Sequence, residues 1–187
     1  MKRYTIVQWI HNYLRNNIKQ GDFCIDATAG KGNDTAFLCE LVGERGKVLA
    51  FDIQQLAIEE TKKTLQKKNL DKIAEVVLDS HANMKNYVEE NTVNVILFNL
   101  GYLPGGDHSI ATKSESTIEA ISSGLSLLKS DGIMSICIYS GGDSGFEEKE
   151  NVLDYLKTLD CKKYSVIINE FYNKPNNPPL PIFIIKN

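Results

Sequence analysis

The 187-residue sequence predicts an open, doubly wound α/β fold, with a seven-stranded, mostly parallel sheet, helices on both faces and an antiparallel C-terminal strand. Two observations predict it. Five apolar runs in succession are each followed by a helical run, an alternation that builds a parallel sheet covered on both faces. The end of the chain breaks this rhythm: Tyr164–Tyr172 and Ile182–Lys186 are both strand-like, with only Asn173–Pro181 (NKPNNPPLP) between them. No crossover helix fits there, so the last strand must return antiparallel to the sixth.

The elements follow in order. Residues 1–20 form a basic N-terminal helical segment, in which Tyr4, Trp9 and Tyr13 are interleaved with Lys2, Arg3, Arg15 and Lys19 and no acid. Phe23–Ala29 (FCIDATA) is an apolar strand stopped by Gly30, and Asn33–Val42 then reads helical. Lys47–Ile53 (KVLAFDI) is a second buried strand before a helical run over Gln55–Lys68. Glu75–Leu78 is a short third strand, with helical residues over Ala82–Glu90. Asn94–Leu100 (NVILFNL) is the fourth, followed by a Gly/Pro-rich loop and a helix over Ser114–Leu128. Ile133–Tyr139 (IMSICIY) is the fifth, and its helix covers Phe146–Leu159. A doubly wound sheet closed by an antiparallel hairpin is the Rossmann-like class I methyltransferase architecture, whereas a dinucleotide-binding sheet is parallel throughout.

Composition bounds the rest. With 42% apolar and 24% charged residues, the chain reads as one ordinary folded domain over 1–187. A chain of this size buries about 70% of its unfolded surface without staples. The longest apolar runs, Val95–Phe98 and Ile182–Ile185, fall far short of the ~20 residues of a membrane span. No apolar segment follows Met1-Lys2-Arg3, so no signal peptide is expected and a cytoplasmic location is. Cys24, Cys39, Cys137 and Cys161 lie singly in apolar segments, read as reduced core thiols, and lack zinc spacing. A net charge of -3 argues against bulk nucleic-acid coating, while the N-terminal segment remains a local basic patch able to hold RNA. An amphipathic helix packing its aromatics on the sheet is the alternative for that segment. The run Lys62-Lys63 to Lys67-Lys68 is the solvated face of the second strand's helix.

Ligands of open α/β sheets bind beyond the carboxyl ends of the strands. The first such loop, Asp26–Thr35, places Gly30 and Gly32 where backbone must turn tightly or approach a ligand. The fingerprint G-x-G-x-x-G would need glycine at 35, where Thr35 stands, which weakens a pyrophosphate reading. Asp26 and Asp34 suit instead the cationic amino-acid end of S-adenosylmethionine; a plain turn with packing glycines is the bland alternative. Asp52 ends the second strand, where an acid accepts hydrogen bonds from a ribose diol or caps the next helix. Asp79-Ser80-His81 ends the third, facing adenine or capping in turn.

The stretch Asn99-Leu100-Gly101-Tyr102-Leu103-Pro104-Gly105-Gly106-Asp107 is the most informative. The Asn99 side-chain oxygen and the Leu100 carbonyl can accept the two N–H groups of an amine and leave its lone pair aimed at a methyl group. Tyr102 can stack on a flat acceptor ring. A turn built from Asn, Gly and Pro for conformational reasons is the alternative. His81 and His108 are candidate bases, although a lone His is more often structural and methylation of a neutral amine needs no strong base.

These residues resemble the small bacterial class I methyltransferases of the rRNA methylase family, also called the YtqB or MnmM family. The carriers are Asp26–Gly30, Gly32 with Asp34-Thr35, Phe51-Asp52, Asn99–Asp107, Thr112 with Ser116-Thr117, Tyr139, Glu147-Glu148 and Asn176–Pro179. The resemblance implies methylation of the 5-aminomethyl group of a tRNA wobble 2-thiouridine, with S-adenosylmethionine as methyl donor, S-adenosylhomocysteine as product and no metal. It implies cofactor contacts for Asp26, Gly30, Gly32, Asn33, Asp34, Thr35, Asp52, Ile53, Gln54, Ser80, His81 and Asn99. Asn99, Leu100 and Tyr102 become catalytic, in a variant of the N-P-P-Y signature in which Leu100 and Gly101 replace the prolines. Substrate contacts fall to Tyr102, Leu103, Pro104, Gly105, Asp107, His108, Tyr139, Asn176 and Asn177. Lys31 and Asn33 stand where the family usually shows Asn and His, and Gly142-Asp143-Ser144 where it shows His-Pro-Gly.

The expectation is an N-methyltransferase acting on the anticodon region of tRNA, off the membrane, with a homodimer allowed. The rivals are a small-molecule or rRNA methyltransferase on the same fold, a non-catalytic nucleotide- or RNA-binding module, and an NAD enzyme.

Overall fold

Seven strands, β1 (Phe23–Asp26), β2 (Lys47–Asp52), β3 (Ala74–Leu78), β4 (Val93–Leu100), β5 (Leu128–Ile138), β6 (Tyr164–Ile168) and β7 (Leu180–Lys186), pair in the order β3-β2-β1-β4-β5-β7-β6. The computed structural model describes residues 4–100, 114–139 and 142–187. Neighbours pair parallel except around β7, which runs antiparallel to both β5 and β6. The strand order reverses beside β1, so the ends of β1 and β4 diverge around the crevice where such sheets bind ligands.

Among the described residues, five α-helices, α1 (Ile6–Arg15), α2 (Asn33–Val42), α3 (Gln55–Lys67), α4 (Ser114–Leu127) and α5 (Gly142–Lys157), cover the sheet. Successive β-strand side chains point to opposite faces, and β4 shows the result. Ile96, Phe98 and Leu100 join Met84, Ala120, Ile121 and Val152 in one core layer. Val95 and Leu97 join Ile10, Leu14, Leu38 and Val42 in the other. Continuous burial along β4 and β5 is what a sheet covered on both faces requires.

The basic N-terminal segment is helical over Ile6–Arg15 and opens on a capping box. Gln8 N–H donates to Thr5 Oγ1 (3.1 Å) while Thr5 N–H donates to Gln8 Oε1 (3.0 Å), satisfying two orphan amides of the first turn. Ile6, Ile10 and Leu14 recur at helical spacing and are buried on the sheet. The Tyr13 ring lies 4.2 Å from that of Phe183, while Arg15 and Lys19 stay exposed. The helix therefore docks through its apolar stripe.

Several expected boundaries move. The helical run over Ala82–Glu90 is a short 3-10 helix, His81–Asn86. β6 stops at Ile168, because after the bond from Asn169 N–H to the Pro181 carbonyl (2.9 Å) the chain turns, with Lys174 N–H on the Phe171 carbonyl (3.1 Å). β5 begins at Leu128, directly after α4, with a register shift against β4. Lys186 Nζ secures that junction by donating to the Leu128 (2.7 Å) and Leu125 (3.3 Å) carbonyls. α5 starts at Gly142, four positions before the expected Phe146. Cys24, Cys39 and Cys137 are buried as expected, and burial pushes the Cys39 and Cys137 thiols up to about 12. Cys161 is the exception: it is exposed in the turn where Lys163 N–H bonds the Asp160 carbonyl.

Leu14 is completely buried. Leu14→Ala should cost about 2–5 kcal/mol, the usual range for a core leucine truncation. Urea unfolding followed by the fluorescence of the single tryptophan, Trp9, measures it; a loss below about 1 kcal/mol would mean that α1 is not docked in solution.

Candidate functional site

The site is built at the carboxyl edge around β1. Asp26, its last residue, is fully buried. Thr35 Oγ1 donates to Asp26 Oδ2 (2.6 Å) and Thr28 N–H to Asp26 Oδ1 (3.1 Å), so this carboxyl braces the following turn from beneath. Burial, and then the neighbouring Asp34 carboxylate, push Asp26 up to about 7.

Gly30 (φ 55°) and Gly32 (φ 75°) adopt left-handed backbone in that turn, and Gly32 leads into α2. A Cβ at Gly32 would lie 2.8 Å from Thr61 Cα, so α3 and the turn touch through backbone there. Thr61 Oγ1 donates to the Gly30 carbonyl (3.2 Å) and Thr64 Oγ1 to the Lys31 carbonyl (2.8 Å). Asp52 closes the turn from β2: Oδ2 accepts from Gly30 N–H (2.9 Å) and Oδ1 from Gln54 N–H (2.9 Å). The N-cap position of α3 is Gln54, so Asp52 ties two loops together instead of capping the helix.

Beside Asp52, Ile53, Leu56 and Leu78 each leave about half of their surface exposed. Leu78 pairs with Asp52 in register, which places exposed apolar surface beside that acid. Leu56 and Leu78 escape sequence reading, because an apolar residue at a strand end or in a first helical turn reads as core. The third loop behaves as a cap. Asp79 accepts from Ser80 N–H (2.7 Å), Asn83 Nδ2 (2.8 Å) and Tyr87 Oη (2.7 Å), bonds that hold its carboxyl below the usual range. Ser80 Oγ accepts from Ala82 N–H (3.2 Å). His81 points inward, its Nδ1 3.2 Å from the Ala27 carbonyl and its ring edge-on to Phe98. Burial lowers its pKa, and the weaker base, held on the Ala27 carbonyl, is a poor candidate for a solvent-coupled base.

Asn99 lies next to the end of β4, opposite the turn. Its N–H donates to Thr28 Oγ1 (2.8 Å) and its Nδ2 to Asp34 Oδ2 (3.1 Å). A carboxylate only accepts, so the amide nitrogen must face Asp34 and the amide oxygen must face away. That Oδ1 is buried and has no partner among the described residues. The Leu100 carbonyl, the expected second acceptor, already takes Tyr139 N–H (3.1 Å) in the sheet. Partial burial, then Cys137 and Asp34, push the Tyr139 phenol up to about 12.

His11, which carries no motif, reaches this group from α1. Its Nε2 is 2.8 Å from Asp34 Oδ1, and its ring stacks on Phe37 at 3.7 Å and 4°. Sequence reading misses it because helical spacing places it beside the docked stripe without saying where the helix lands. Asn33 opens α2. Asn176 (φ 64°) and Asn177 (φ 43°) turn the β6–β7 connection, and since Leu180 pairs with Ile138 at the end of β5, that connection emerges on the carboxyl edge. Tyr102, Leu103, Pro104, Gly105, Asp107 and His108 lie outside the described residues. Among the described residues, no group of His, Cys, Asp and Glu side chains is arranged to hold a metal ion, and no helix is long and apolar enough to cross a membrane.

The sheet order, the antiparallel β7, and the glycine turn facing a strand-end acid define a class I S-adenosylmethionine-dependent methyltransferase. Residues 48–185 match the family described as Putative rRNA methylase, and the chain belongs to that family. Over its whole length it is 46% identical to a solved putative rRNA methylase of Clostridium thermocellum, itself covered completely, with a TM-score of 0.96. A putative methyltransferase of Streptococcus mutans, solved in complex with SAH, is 34% identical with both chains covered completely and a TM-score of 0.88. The chloroplastic tRNA (mnm(5)s(2)U34)-methyltransferase of Arabidopsis thaliana is 38% identical over 178 residues, or 90% of this chain. The chain spans 65% of the length of that relative.

The Asp26 brace makes stability depend on pH. The folded chain favours the neutral carboxyl, so its stabilisation is full below the unfolded value of 3.8 and is lost as pH rises through about 7. Asp26→Asn, which cannot ionise, should therefore gain on the wild type between pH 5 and pH 8. Urea unfolding of both proteins at the two pH values gives the difference; a pH-independent gap would show that Asp26 is not held neutral.

Proposed function

We propose that this chain methylates a primary amine on RNA, the aminomethyl group of 5-aminomethyl-2-thiouridine at the tRNA wobble position. The Asn99 amide carries the reading. Its nitrogen is committed to Asp34, and its buried oxygen lacks a donor, an arrangement costly to leave unmet and suited to an incoming N–H. An acceptor at this point holds an amine with its lone pair free, whereas it offers nothing to a carbonyl or an ether.

The described residues fit S-adenosylmethionine. Asp52 presents a carboxylate with lone pairs beyond its two backbone bonds for a ribose diol. The Gly30–Gly32 turn admits close backbone approach, and Ile53, Leu56 and Leu78 offer exposed apolar surface for a flat base. S-Adenosylmethionine supplies an electrophilic methyl group on a sulfonium, so the protein's share is to bind, orient and exclude water. His81, turned into the protein with its basicity lowered by burial, is consistent with a reaction that asks for no strong base.

Three features support RNA as the carrier of the amine: the tRNA activity named for the Arabidopsis relative, the outward charges of Arg15 and Lys19 on and after α1, and Tyr172, 94% exposed in the β6–β7 connection. Lys174 Nζ donates to the Tyr4 carbonyl (2.7 Å) and joins that connection to the start of α1. Docking of the α1 aromatics on the sheet favours the second reading, a small-molecule amine methyltransferase. Nucleoside mass analysis of tRNA from cells lacking the protein separates the two. Loss of the methylated wobble uridine with accumulation of its aminomethyl precursor supports the tRNA reading; unchanged tRNA leaves the small molecule.

Two substitutions probe the site. Asp52→Ala should weaken S-adenosylmethionine binding by about 1.5–3 kcal/mol, the worth of hydrogen bonds to a charged group, as read by calorimetry on a folded variant. Asn99→Ala should slow single-turnover methylation of aminomethyl-tRNA roughly a hundredfold, the cost of about 1 Å of misplacement, with cofactor affinity nearly unchanged. Wild-type turnover would remove Asn99 from amine orientation.

A further inference from the structure

The unpartnered Asn99 oxygen is useful only if the amide cannot turn over, since a flipped amide would present N–H groups to an N–H donor. The groups that prevent the flip form a chain leading away from the site. Asn99 Nδ2 donates to Asp34 Oδ2 (3.1 Å), and Asp34 Oδ1 is held by His11 Nε2 (2.8 Å). With a carboxylate as acceptor, Nε2 carries the proton and donates. Asp34 and Phe37 lie three residues apart on α2 and so share one helix face. The two grip one imidazole, Phe37 by its ring face and Asp34 by its edge. The terminal torsion of an aspartate is broad, so a carboxylate held at one oxygen alone rotates easily. Held at both, by His11 and Asn99, it has one orientation.

We propose that His11 is a positioning residue: through Asp34 it fixes the Asn99 amide with its oxygen toward the acceptor, and thereby sets the selectivity of the site for an amine. The inference rests on the amine reading of the site and assigns a part in it to a residue of α1, an element that lies outside the glycine turn and the β4 end. It makes the docking of α1 a condition for a productive site, since the helix that carries His11 is anchored by Ile6, Ile10 and Leu14.

Two variants separate ring from hydrogen bond. His11→Phe keeps an aromatic face for Phe37 and loses the donor; His11→Gln loses the ring and can return an N–H to Asp34. The first readout needs no substrate: the side-chain amide cross-peaks of Asn99 in a nitrogen–proton correlation spectrum, assigned by their loss in Asn99→Ala. They should move away from their wild-type position in His11→Phe and stay near it in His11→Gln. The second readout is turnover on aminomethyl-tRNA, where kcat should fall about 10- to 100-fold in His11→Phe, recover most of that in His11→Gln, and leave KM for tRNA and affinity for S-adenosylmethionine almost unchanged. Circular dichroism establishes that each variant is folded. Unmoved Asn99 peaks in His11→Phe overturn the proposal, as does an equal loss in both variants, which would assign the effect to ring packing. Wild-type protein that transfers no methyl group to aminomethyl-tRNA overturns the amine reading instead, and the spectra still decide whether His11 positions Asn99.

Discussion

The buried Asp26 carboxyl is the joint from which the carboxyl edge is hung. It takes the Thr35 hydroxyl on one oxygen and the Thr28 amide on the other, so the strand end, the turn and the first turn of α2 are pinned at one point. Thr28 then passes the order on: its hydroxyl accepts the Asn99 amide proton, which sets the end of β4 against the end of β1. Asp34, next to Thr35, carries the same constraint to the Asn99 side chain. A polar group buried this deeply is costly unless satisfied, and here its bonds are spent on the segments that must not move.

A second set of bonds holds the turn from outside. Asp52 takes the Gly30 amide, Thr61 and Thr64 donate to the Gly30 and Lys31 carbonyls, and Gly32 leaves no room for a side chain against Thr61. The turn is thus gripped between β2 and α3, and its backbone conformation is set before any ligand arrives, which lowers the ordering cost of binding. Asp52 serves as both tie and candidate ribose acceptor. Loss of affinity on its removal therefore includes the loosened turn as well as the missing acceptor.

α1 belongs to the same system although it precedes the sheet. Its capping box starts the helix, its apolar stripe sets it on the β1–β4 region, and His11 is delivered to Asp34 as a consequence. Arg15 and Lys19 stay exposed, and the Arg15 guanidinium lies 5.8 Å from the centroid of the Phe37 ring on which His11 stacks. That one helix can bury an apolar face and still present His11 to a neighbouring helix follows from its 3.6-residue period.

What the sequence determined by itself is the part of the molecule set by local pattern. Alternating strand and helix runs, glycines in the first turn and the short Asn173–Pro181 connection specify a doubly wound sheet with an antiparallel return, and the observed strand order agrees. Asp26, Asp52 and Asn99 were legible as well, because each stands at the end of an apolar strand, where a polar side chain has few structural reasons to be. The tertiary structure decided the rest: that Asp26 lies beneath the turn and Asp52 ties it, that Leu56 and Leu78 are half exposed instead of core, that Ala82–Glu90 shrinks to a short 3-10 helix, and that His11 joins Asp34 across twenty-three residues. Periodicity tells which face of a helix is buried, but the axial position and rotation at which α1 lands depend on how its side chains interlock with those of α2, β1 and β7, and that packing exists only once the sheet is assembled.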